Sequence, residues 1–143
     1  MAPARPAEQR WSPARCQFTL IAVTALIDRQ LSADEEFEAL ALGARSLTMH
    51  ELSLETTQGW MQELIAIRTN QAAIWEHARK ATRDFPSDPS MRRAIYAHCA
   101  DMAFADRQEK KSERRLLDFI AKDLRLSRAD RQKIDAVMAL KNR

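Results

Sequence analysis

The sequence predicts an all-α fold, a compact helical domain built from two pseudo-symmetric helical-hairpin repeats. Three observations carry that prediction. Chain breakers are scarce: there are two Gly, and the Pro residues fall in the first 13 residues or in "DFPSDPS". Between them run long stretches rich in Ala, Leu, Arg, Glu and Lys, which lose little side-chain freedom in a helix. No run alternates Val, Ile and Thr with the two-residue period of a strand. The third observation is a repeat. Shifted by 78 positions, Phe18 falls on Tyr96, Ala22 on Ala100, Ala25 on Ala103 and Leu26 on Phe104, followed by Asp28-Arg29-Gln30 on Asp106-Arg107-Gln108 and Glu35 on Glu113.

Residues 1–15 are rich in Pro, Ala and Arg and are expected to be disordered and dispensable, leaving residues 16–143 as one helical domain. The first apolar run, "FTLIAVTALI", follows Arg5, Arg10 and Arg15 and superficially matches a signal peptide. It is too short to span a bilayer as a helix, and it has an internal counterpart in "YAHCADMAFADRQ". It is therefore expected to be a buried helix. Ser32 with Glu35 and Thr48 with Glu51 then have the spacing of capping boxes.

Residues 60–84 predict one or two further helices, with Trp60, Leu64, Ile67, Ile74 and Trp75 inward. Asp88 caps the next, with Pro89 at its first position and an end near residue 105. Ile95, Cys99 and Met102 share one of its faces. A helix over about 111–124 turns Leu116, Leu117, Ile120 and Leu124 inward, and Ser127 with Asp130 opens the last one. The "ADRQ" at 129–132 has Val137, not an acid, seven residues after its Asp, so it is no third copy.

Cys16 and Cys99 are the only cysteines, and no Cys-x-x-Cys is present, which argues against a zinc finger or redox motif and fits a reducing compartment. The net charge of +3 is unevenly spread. Residues 1–70 hold six basic and nine acidic side chains; residues 71–143 hold 17 and 11. The basic half could meet an anionic membrane surface or nucleic acid through Arg114, Arg115, Lys122, Arg125, Arg128 and Arg131, or it could be a solvated helix surface. Few aromatics accompany these cations, which disfavours single-stranded nucleic acid.

The acidic pairs Asp28 with Glu35 and Asp106 with Glu113 have two readings. In a helix–turn–helix the carboxylates could approach each other and, as oxygen ligands, suit calcium, magnesium or manganese. Two carboxylates are too few alone; backbone carbonyls, waters or the other copy would have to complete the shell. Alternatively the acids only cap helices. Glu35 has a capping partner in Ser32; Glu113 has Lys110 three places before it, which cannot cap, so helix dipole is its architectural reason. His98 and Met102 stand four apart, but a partly buried helix histidine explains them as well. No Ser-His-Asp set, Gly-rich phosphate loop or His-Glu-x-x-His motif points to an enzyme.

The segment "AHCADMAFADRQEKKSERRLLDFIAKDLRLS" resembles the signature of the TerB tellurite-resistance family. That pattern is an apolar helix, an Asp-Gly-x-apolar turn, a Glu seven residues after the Asp, and an apolar helix ending near Gly-Leu; related domains occur in some membrane-linked DnaJ-type co-chaperones. The resemblance spans about residues 17–140. It implies an all-helical, pseudo-symmetric, non-catalytic module of a bacterial stress response, cytoplasmic or peripheral to the inner membrane. Such a module senses or binds metal ions and works beside stress-response partners near the membrane. By position, the family's acidic pair falls on Asp28 with Glu35 and on Asp106 with Glu113. The chain departs from the pattern at the turn: Arg29 and Arg107 replace the Gly, and Glu109 replaces an apolar residue. A positive charge beside the carboxylates weakens affinity for a cation.

Overall fold

The computed structural model describes residues 9–27, 54–105 and 111–142. Among them are six helices and no strand: α1 (Pro13–Leu26), α2 (Leu54–Ile67), α3 (Gln71–Asp84), α4 (Pro89–Ala105), α5 (Lys111–Asp123) and α6 (Arg128–Lys141). Helix α1 is the centre. Every residue from Phe18 to Ile27 is buried, on all sides of the helix. A helix apolar all round has no face for water and must be wrapped by others. α3 and α4 supply most of the wrapping and α2 a further side; α5 and α6 pack on α4, and α5 also on α3. Burial of each of Phe18, Leu20, Val23 and Leu26 contributes about 1.5–3 kcal/mol before conformational entropy is subtracted. Among the described residues, no helix is long and apolar enough to cross a membrane.

Residues 9–15 precede the expected boundary, and the structure shows their contacts. Ser12 caps α1, its Oγ accepting from the Arg15 amide at 3.2 Å, with Pro13 next to it. Trp11 is held as well. Its amide donates to Asp84 Oδ2 at 3.0 Å, the Arg15 guanidinium lies 4.1 Å from its ring centre, and His77 packs against it at 5.7 Å. A partly buried aromatic with a paired amide, and the Ser12 cap, give residues 11–15 contacts that a Pro- and Arg-rich composition does not suggest. Residues 1–8 lie outside the described residues.

The segment 60–84 resolves into two helices because Asn70 caps α3, its Oδ1 accepting from the Ala73 amide at 3.2 Å. Leu64 and Ile74 are buried; Trp60, Ile67 and Trp75 are partly buried and pack on the core from its edge. Trp60 meets Phe18 at 5.7 Å, and Trp75 meets Phe119 edge-on at 5.4 Å. Asp88 opens α4 as expected, accepting from the Ser90 amide at 2.9 Å. Leu116, Leu117, Ile120 and Leu124 are all buried. Cys16 and Cys99 are free, and burial pushes each thiol up to about 12, so neither is a reactive thiolate.

Two connections are fixed by backbone hydrogen bonding. After α5 the Leu126 amide reaches back to the Ala121 carbonyl and the Arg125 amide to the Lys122 carbonyl, both at 3.0 Å. This is a Schellman cap, whose pivot must be left-handed; Arg125 has φ 58°. Arg92 ties the neighbouring connection down. Its guanidinium donates to the carbonyls of Pro86 (2.8 Å), Leu124 (3.1 Å) and Phe85 (3.3 Å).

A residue with a Cβ in the left-handed region carries a cost that Gly avoids. Arg125→Gly is therefore expected to stabilise the fold by about 1 kcal/mol, read from the urea midpoint, whereas Arg125→Ala should change little. A second expectation concerns Asp84. Burial raises its carboxyl, but the Trp11 amide, Lys80 and Arg83 outweigh burial and hold it below the usual carboxylate range. A depressed folded value stabilises the protein above the unfolded value of 3.8, and that contribution is lost as pH falls through the folded value. Asp84→Asn should thus be less stable than the parent at pH 7. The gap should close on acidification below about pH 4, as followed by denaturation at a series of pH values.

Candidate functional site

Of the four acids singled out by the sequence, Glu113 is the one within the described residues; Asp28, Glu35 and Asp106 lie outside them. Glu113 stands in the first turn of α5. Steps of three, four and seven residues put it on the same face as Leu116, Leu117 and Ile120. That face is turned inward, and Glu113 goes with it, only 3% exposed. An acid placed merely to complement a helix dipole gains as much on the solvent side. Burying a carboxylate carries a desolvation cost of several kcal/mol unless polar or charged groups meet it. Glu113 is thus a buried carboxylate in the first turn of α5, on the same inward face as Leu116, Leu117 and Ile120.

Other metal-ligand arrangements are not assembled here. Among the described residues no three His, Cys, Asp or Glu side chains converge with metal-site geometry. His98 and Met102 are both only partly buried on α4. His77 is taken up by the Ala73 carbonyl at 3.0 Å and Glu63 at 3.4 Å. His50 lies outside the described residues.

The basic residues named from the sequence do not form one set. Arg114, Arg115, Lys122, Arg125 and Arg128 are exposed. Arg131 is drawn into a polar network instead. Its Nε donates to the Tyr96 hydroxyl at 3.1 Å, and the guanidinium pairs with Asp118 and, at 3.5 Å, with Asp135. The Tyr96 hydroxyl in turn donates to Asp135 Oδ1 at 2.7 Å. Burial lowers the Arg131 value, but Asp118 and Tyr96 more than offset it, so the charge is held firmly on. Burial, then Asp135, raises the Tyr96 phenol well above its ordinary range, so it stays protonated.

This network has a structural purpose. α6 contains no buried residue. Ile134 and Met138 pack on the core from α6, and polar contacts secure both ends of the helix. At the far end Lys141 pairs with Asp101 at 2.6 Å, and Asn142 Nδ2 donates to Asp101 at 2.9 Å. Sequence reasoning took Tyr96 only as the counterpart of Phe18. The Arg131–Asp135 spacing of four was the visible signal that α6 carries an internal ion pair.

Compared with protein-family models, with curated proteins and with solved structures, the chain matches none of them.

Tyr96→Phe keeps the packing and removes the hydroxyl that Arg131 and Asp135 share. A hydrogen bond to a charged group contributes about 1.5–3 kcal/mol. The substitution is expected to destabilise by that order and to raise amide exchange in α6 above that in α1, as read by hydrogen–deuterium exchange.

Proposed function

We propose that this chain is a TerB-like, non-catalytic module of a bacterial stress response, which binds or senses a hard divalent cation at its acidic pairs. The observation that carries the reading is the burial of Glu113 in the first turn of α5, at the position of the family's motif glutamate. An inward carboxylate in the first turn of its helix is what a cation site needs from this residue. The all-helical architecture agrees with the same resemblance. Asp106 would supply the partner oxygen, and Asp28 with Glu35 the equivalent pair. Calcium, magnesium or manganese suits such oxygen donors. The module would act in the cytoplasm or at the inner-membrane face, alongside stress-response partners.

The duplication belongs to this reading. Helices α1 and α4, its first members, pack directly on each other. Their matched residues Phe18 and Tyr96, Ala22 and Ala100, and Ala25 and Ala103 are all buried. On this reading the copies would have diverged elsewhere: Cys16 is buried where its counterpart Ala94 is exposed. A second reading, binding to an anionic membrane or nucleic acid, draws on the exposed Arg114, Arg115, Lys122 and Arg128. A salt titration against anionic vesicles and duplex DNA tests it, with salt-insensitive absence of binding as the outcome against it.

The cation reading has its own test. Adding calcium, magnesium or manganese should shift the amides of residues 106–113 and 28–35. It should raise stability by about 2.7 kcal/mol at a hundredfold excess over Kd. Asp106→Asn and Glu113→Gln should each abolish that gain. Equal stability in chelator and in millimolar metal, with no heat of binding, would leave the acids as architecture.

A further inference from the structure

A groove of about 640 Å³ opens between the α3–α4 connection, the start of α4 and the α5–α6 turn. Arg83, Arg92, Arg93 and Arg125 line it, together with Asp123 and Asp130. We propose that this groove binds a small soluble phosphomonoester, with its arginines as the anion receptor. The proposal is independent of the acidic pairs, since its argument uses none of their residues.

The charge balance is the first support: four arginines and two acids line the groove, with Arg83 also 3.9 Å from Asp84. Both carboxylates already have internal duties. Asp123 Oδ2 accepts from the Thr82 hydroxyl at 3.2 Å. Asp130 lies in the first turn of α6, where the helix dipole favours its charge, and is 3.9 Å from Arg93. The second support is Arg92. Among the described residues its guanidinium has no carboxylate partner; three backbone carbonyls hold it instead. Those bonds occupy three of its five N–H donors. A half-buried cation fixed by neutral carbonyls keeps its full charge and loses little freedom when an anion arrives.

The third support is Arg125. Its left-handed backbone favours Gly, yet the position carries an arginine, and that residue lines the groove. Ser87, Pro89 and Ser127 complete the walls, so the amino ends of α4 and α6 both border the groove and add positive potential. Planar guanidinium groups match phosphate oxygens in paired hydrogen bonds. A phosphomonoester could come from a free metabolite or from a lipid headgroup such as phosphatidic acid. The concave shape favours the free compound, since a bilayer presents its headgroups on a broad plane.

The test is an amide-shift titration of the full chain with inorganic phosphate and with glycerol 3-phosphate, against chloride at equal ionic strength. Saturable shifts are expected in residues 87–93 and 125–130 with both phosphates and not with chloride. Arg93→Gln and Arg125→Gly should each weaken binding by about tenfold. Arg125→Gly is the decisive variant, because it should bind more weakly while melting higher, which a fold defect cannot mimic. Shifts that chloride reproduces, or a Kd unchanged in both variants, would overturn the proposal. So would binding to phosphatidic acid vesicles without saturable shifts from either soluble phosphate.

Discussion

The structure depends on the complete burial of α1 from Phe18 onward. Ten consecutive residues from Phe18 to Ile27 leave no side of that helix for water. The remaining helices must surround it, and their own amphipathic stripes follow from which part of α1 they cover. The same constraint requires the polar atoms inside to be satisfied locally. The Thr24 hydroxyl donates to the Leu20 carbonyl at 2.8 Å within its own helix, since water cannot reach it. It also separates the two members of the suggested duplication: α1 is covered on all sides from Phe18 onward, whereas α4 keeps a partly solvated side on which Asp101 can anchor α6.

Around this core, polar groups secure what apolar area is too small to hold. Trp11 is tied to Asp84, α3 to α5 through Thr82 and Asp123, and α6 to α4 through Tyr96, Asp135 and Arg131. Arg92 does the same for two connections at once, with backbone carbonyls as its partners. These bonds are valuable because they are partly buried: an exposed ion pair contributes little, while a shielded one leaves a desolvated charge behind when it is broken. The basic half of the chain therefore has two populations. Arg92 and Arg131 belong to the architecture, while Arg114, Arg115, Lys122 and Arg128 face solvent.

Local signals were legible in the sequence wherever the physics is local. The Asp88-Pro89 start of α4, the Ser127 cap of α6 and the inward stripe of α5 each depend on residues within two turns of one another. The break at Asn70 was legible in principle as a capping residue, but the apolar period runs past it and hides it. The hold on Trp11 was not legible, because it finds Asp84 across 73 positions of sequence. For the candidate site, spacing alone marked Glu113 and left open whether it faces water.

The sequence by itself determined that this is a helical protein, where α4 to α6 begin, and that "FTLIAVTALI" belongs inside. Propensity, capping and the 3.6-residue period are properties of neighbouring residues. Tertiary structure alone decided which charges are pinned and which are offered to solvent. It drew Arg131 onto Tyr96, gathered Arg83, Arg92, Arg93 and Arg125 around one groove, and turned Glu113 inward. Those outcomes depend on helices separated by tens of residues meeting at particular faces, and the field at a side chain is set by whatever packs against it.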